Sequence, residues 1–84
     1  MWQTYYTEQA RQDGKRLAAA GLIDKALKLL AIVKEDPYQS QPPYQNLVGD
    51  LEGSFSRRIN IQHRLVYQVL EQERAIKVLR LWAH

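Results

Sequence analysis

The chain has 84 residues, 45% hydrophobic and 25% charged, which makes one domain, 1–84, with a modest core and argues against disorder. It has no cysteine, which excludes disulfides and thiolate zinc sites. Its two histidines, His63 and His84, lie far apart in sequence, so no metal or other cofactor is expected. A net charge of +3 is mildly basic and admits nucleic acid as a partner without requiring it.

The first eight residues carry neither the basic region nor the apolar core of a secretion signal, and no apolar run could span a bilayer. A soluble cytoplasmic protein that does not engage membranes is expected. Residues 2–6, Trp-Gln-Thr-Tyr-Tyr, are aromatic and β-prone and predict a short first strand. Thr7 reads as the N-cap of a helix running to about Ala20, with Glu8 favourably placed in its first turn and Gly21 ending it. A second helix is predicted from Leu22 to about Glu35. Its apolar stripe would be Ile23, Ala26, Leu27, Leu30 and Val33, with Lys25, Lys28 and Lys34 off the stripe, and Asp36-Pro37 would stop it.

Residues 37–46 are polar and proline-rich and predict a loop. Four strands follow, at Leu47–Leu51, Ser54–Ile59, Arg64–Leu70 and Ala75–Trp82, separated by turns at Asp50–Gly53, Asn60–His63 and Glu71–Arg74. The order β-α-α-β-β-β-β implies an α+β domain, an N-terminal strand and αα-hairpin packed on a mainly antiparallel sheet. Strand alternation puts Leu65, Tyr67 and Val69 on one face and Arg64 on the other. In the last strand it groups Leu79 with Leu81, and Val78 with Arg80, Trp82 and His84. With helices covering one sheet face, the other is expected to display Arg64, Arg80 and His84.

Residues 53–70 hold three arginines and a histidine and no Asp or Glu. Arginine binds phosphate through a planar fork, so this segment points to an anionic ligand. Arg57 alternates with Arg58 and is expected to face the other way, in a salt bridge to Asp50 or Glu52. His63 reads as a turn histidine able to touch RNA, and Tyr67 and Phe55 as core. Lys15, Arg16, Lys25 and Lys28 read as solvated helix positions with ribosomal RNA as a second reading.

Residues 49–67, Gly-Asp-Leu-Glu-Gly-Ser-Phe-Ser-Arg-Arg-Ile-Asn-Ile-Gln-His-Arg-Leu-Val-Tyr, followed by the C-terminal Arg-Leu-Trp-Ala-His, strongly resemble the YoeB/Txe toxins of the RelE-like superfamily in bacterial toxin–antitoxin modules. The resemblance extends over nearly the whole chain. It implies a RelE-like, microbial-ribonuclease-like fold and a metal-independent, ribosome-dependent endoribonuclease that cuts mRNA in the A site by 2′-hydroxyl attack on the adjacent phosphate. It also implies an acidic YefM/Axe-like antitoxin as partner and a homodimer in the toxin–antitoxin complex.

Carried over by position, the resemblance makes Arg64 the transition-state cation, Arg58 a phosphate ligand and His84 the general acid; Trp82, beside His84 on the strand, is expected to stack on a base, and Arg80 and His63 are expected to contact phosphate or RNA. Spacing at the C-terminal end differs among members, so Trp82 or Ala83 can also align with the family histidine. The family's glutamate base falls at Gln45, which cannot act as a carboxylate. The family tyrosine after the histidine has no counterpart, which would leave the chain-terminal carboxylate on His84 and favour its imidazolium. Losing a base costs about 10²–10⁴ in rate, so attenuated cleavage is expected. The second reading is a weak or inactive toxin that binds antitoxin and represses its operator. A ParE-like gyrase poison is a third, disfavoured by the His-Arg-Leu-Val-Tyr string.

Overall fold

The structure, a computed structural model, describes residues 2–41, 43–47 and 53–81. Seven elements follow in the order β1 (Gln3–Tyr6), α1 (Glu8–Ala19), α2 (Ile23–Glu35), β2 (Tyr44–Asn46), β3 (Ser54–Arg58), β4 (Arg64–Leu70) and β5 (Ala75–Arg80). They form one five-stranded sheet in the order β1-β5-β4-β3-β2, parallel only between β1 and β5. The helices lie against one sheet face. The core joins Leu17 of α1 and Ala26, Leu29, Leu30 and Val33 of α2 to Leu65, Tyr67, Ile76 and Val78 of the sheet.

The helix ends follow the local chemistry. The Thr7 hydroxyl accepts a hydrogen bond from the Ala10 N–H at 3.0 Å, satisfying a first-turn donor. The same hydroxyl donates to the Leu79 carbonyl at 3.0 Å, which ties the start of α1 to β5. After Ala20, Gly21 takes φ +75°, the left-handed conformation that ends a helix and favours glycine.

Three expectations need correction. The strand expected at Leu47–Leu51 is β2 at Tyr44–Asn46, inside the stretch read as loop. Tyr44, Gln45 and Asn46 pair with Arg57, Ser56 and Phe55 of β3, so a neighbouring strand in register outweighs a proline-rich composition. Residues 48–51 of the expected strand lie outside the described residues. In α2 the buried stripe is Ala26, Leu29, Leu30 and Val33, whereas Leu27 is 54% exposed. Ala26, Leu30 and Val33 are as expected, and Leu29 takes the core position expected of Leu27.

The third correction concerns β5. Tyr67 pairs with Val78 but its neighbour Val66 pairs with Arg80, leaving Leu79 as the extra residue of a bulge. Val78 is consequently in the core. Past the bulge the alternation is reset, so Leu81 is buried as well. Arg80 turns to α1, where its Nε donates to the Asp13 carboxylate at 2.8 Å, and the Leu81 N–H donates to the same oxygen at 3.0 Å. Asp13 is 1% exposed, so a buried carboxylate holds the end of β5. Trp82, Ala83 and His84, which follow it, lie outside the described residues.

A second tie holds the chain after α2. The Tyr38 hydroxyl donates to Glu71, and the Tyr38 ring meets Phe55 edge-on at 5.8 Å. The hydrogen bond to Glu71, helped by partial burial, pushes the phenol from 10.0 up to about 12. Folding therefore favours the neutral phenol. That contribution is complete below pH 10 and is lost as pH rises through about 12.

Two outcomes follow from these ties. Asp13→Ala removes the acceptor of the Leu81 N–H and of Arg80 together, and is expected to lower unfolding free energy by about 1.5–3 kcal/mol in denaturant titration. Tyr38→Phe should flatten the fall of thermal stability between pH 10 and 12 relative to the parent protein; an unchanged alkaline slope would show that Tyr38 does not set it.

Candidate nucleic-acid interface

In an antiparallel meander, the end of β3 and the starts of β2 and β4 meet at one edge of the sheet. A groove of about 1060 Å³ opens there. Its floor is Ser56 of β3, its walls are Gln45 of β2 and Arg64 of β4, and the β3–β4 turn with Asn60 and Ile61 forms its rim. Lys25, in the first turn of α2, closes the helix side. Arg58, Arg64 and Lys25 are the cations of this lining, and no carboxylate is among its described residues.

Arg64 is central to the groove. Its Nη1 donates to the Ser56 hydroxyl at 3.2 Å and to the Gln45 side-chain carbonyl at 3.3 Å. These contacts fix one edge of the guanidinium. Arg58 sits directly opposite Arg64 in the β3–β4 register. Like charges at facing positions of an antiparallel pair are destabilising, and an anion between them reverses the sign of the interaction. Gln45, Arg58 and Arg64, singled out from sequence, are thus brought together by three adjacent strands.

Arg57 goes the other way, as strand alternation requires, and is fully buried. Among the described residues, its Nε donates to the Tyr67 hydroxyl at 2.9 Å and its Nη2 to the Pro37 carbonyl at 3.0 Å. Tyr67 in turn donates to Pro37 at 2.8 Å, and the guanidinium lies 4.8 Å from the Tyr44 ring centroid. Asp50 and Glu52 lie outside the described residues. Burial raises the Tyr67 pKa, with Arg57 opposing the shift. The cluster fastens the chain on both sides of the 38–43 loop to β3 and β4, and so sets where Gln45 stands.

The remaining expected site residues lie elsewhere. Arg80 does not line the groove; its charge is met by Asp13, so it is not displayed beside Arg64 as expected. His63 is buried, at 6% exposure, rather than on the surface. Its N–H donates to the Asn60 side chain at 2.7 Å, and its carbonyl accepts from Ile59 at 2.8 Å, so it closes the turn. Trp82 and His84 lie outside the described residues. Ser56 and Ile61 are groove residues that sequence reasoning passed over, and Lys25, expected to be a solvated helix position with ribosomal RNA as a second reading, also lines the groove. Ser56 was recoverable, since it is two residues from Arg58 on the same strand face. Lys25 was not, because only the tertiary packing of α2 brings it to the groove.

Among the described residues, no three His, Asp or Glu side chains cluster in a way that could hold a metal ion, and no helix is long and apolar enough to cross a membrane.

The same architecture recurs in known proteins. A YoeB toxin of Streptomyces coelicolor is 32% identical over 89% of this chain and 81% of its own length. The solved YoeB/ParE toxin from Agrobacterium tumefaciens superposes with a TM-score of 0.88 at 26% identity, covering 98% of both chains. The YoeB–YefM complex from Staphylococcus aureus gives 0.83 at 28% identity over 100% of this chain and 98% of its counterpart, and a YoeB dimer from the same organism has also been solved. Residues 3–84 match the family model of the YoeB-like toxin of bacterial type II toxin–antitoxin systems, and the chain belongs to that family.

Proposed function

We propose that this toxin is an endoribonuclease that cleaves mRNA in the ribosomal A site, at a rate held down by Gln45. The observation that carries the reading is the facing pair Arg58 and Arg64 in a groove whose described lining has no carboxylate. In the reaction, the 2′-oxygen attacks phosphorus and the bond from phosphorus to the 5′-oxygen breaks, giving a 2′,3′-cyclic phosphate and a 5′-hydroxyl. Negative charge builds on the non-bridging oxygens of the intermediate. Arg64, already oriented by Ser56 and Gln45, is suited to meet that charge, with Arg58 holding the phosphate.

The proton steps need a base for the 2′-hydroxyl and an acid for the 5′-oxygen. The Gln45 amide accepts a hydrogen bond and orients the hydroxyl but does not take its proton. His84 is the proposed acid, with Trp82 stacking on a base. A YefM-like antitoxin and a second toxin copy are the proposed partners, by analogy with the Staphylococcus aureus assemblies.

Gln45 also favours a second reading, in which the protein chiefly binds its antitoxin and represses an operator. Primer extension on a message undergoing translation separates the two. Under the nuclease reading the protein cuts within codons, Gln45→Glu speeds cutting by about 10²–10⁴, and Arg64→Ala slows it by about 10²–10³. Intact message with both the parent protein and Gln45→Glu, alongside retained antitoxin binding, establishes the second.

A further inference from the structure

The groove is larger than one phosphate requires, and its cations come from both the sheet and α2. At about 1060 Å³ it stands at the upper limit of pockets that hold a drug-sized molecule, which span about 300–1,000 Å³. Arg58 and Arg64 belong to the sheet, whereas Lys25 belongs to the first turn of α2. Lys28, one turn further along the same helix, does not line it. Ile61 at the tip of the β3–β4 turn is 90% exposed, an unusual place for a large aliphatic side chain, and it lines the same groove with Ile59 and Pro43.

Cations supplied by two separate elements, sheet and helix, together with exposed apolar surface match single-stranded nucleic acid, whose phosphates need charge and whose unstacked bases need apolar contact. We infer that the groove holds at least two successive phosphates of a single strand: Arg58 and Arg64 grip one, Lys25 grips its neighbour, and Ile61 supports the intervening base. The inference rests on the RNA-directed reading above and adds to it a second phosphate subsite with its own residue.

The test uses full-length toxin and fluorescein-labelled 2′-O-methyl oligonucleotides, which lack the attacking hydroxyl and cannot be cut. Anisotropy titrations compare strands with one phosphate and with two or more. The parent protein is expected to bind the longer strands more tightly, with a linear fall of log affinity against log salt. Lys25→Ala is expected to lose the gain from the second phosphate and to flatten the salt slope by about 0.7, the value for one contact to a single strand. Ile61→Ser should weaken binding without changing that slope, and Lys28→Ala should behave as the parent. Equal affinity and slope for Lys25→Ala and the parent would overturn the second subsite and leave the RNA reading in place. Failure of the parent to bind any strand would overturn the inference, while primer extension on a translated message still decides the RNA reading.

Discussion

Everything at this site depends on the two-residue period of β3. Adjacent arginines must point to opposite faces, so Arg57 is driven into the interior while Arg58 faces the groove. Each placement has a cost. A buried guanidinium must be given hydrogen bonds, and Arg57 finds them at the Tyr67 hydroxyl and the Pro37 carbonyl, with the Tyr44 ring against its face. Those partners come from β4, from the residue after α2 and from β2. Satisfying one buried charge thereby fixes three separate pieces of chain relative to one another. Arg58, on the other face, is set opposite Arg64 by the same register. A register slip of one residue would bury Arg58 and expose Arg57, and neither the interior cluster nor the groove would survive.

The bulge at Leu79 plays a comparable part at the other end of the sheet. It lets both Val78 and Leu81 enter the core, and it leaves the Leu79 carbonyl to the Thr7 hydroxyl. Asp13 then takes the Leu81 N–H and the Arg80 guanidinium. Arg80 is thus spent on holding β5 against α1. Two arginines that look alike in sequence, Arg80 and Arg64, differ in what faces them: a buried carboxylate in one case, a neutral amide and a hydroxyl in the other.

Legibility from sequence followed the range of the interactions. The Thr7 cap, the Gly21 stop and strands β3, β4 and β5 rest on contacts within a few residues, and each was readable locally. Gln45, Arg58 and Arg64 came from a motif resemblance together with strand alternation. What escaped reading was set by distant partners. β2 exists because β3 offers it a ladder. The buried face of α2 depends on how the helix rolls onto the sheet. The fate of Arg80 depends on an aspartate 67 residues away in sequence. His63 sits in the turn expected for it but is buried there, because the Asn60 side chain folds the turn back on itself.

The neutral amide at position 45 shifts the balance of the groove between holding and cutting. A carboxylate there would lie within hydrogen-bonding reach of Arg64, as the Gln45 carbonyl does at 3.3 Å, and would neutralise part of the charge that an RNA phosphate has to find. With glutamine, Arg58, Arg64 and Lys25 face the ligand with no acid among the described lining. Under the proposed nuclease function, glutamine at this position leaves the attraction for a phosphate chain undiminished and supplies no proton acceptor. Interactions that bind substrate and transition state equally tighten association without accelerating the chemical step. Under that proposed function, such a groove favours holding RNA over cutting it.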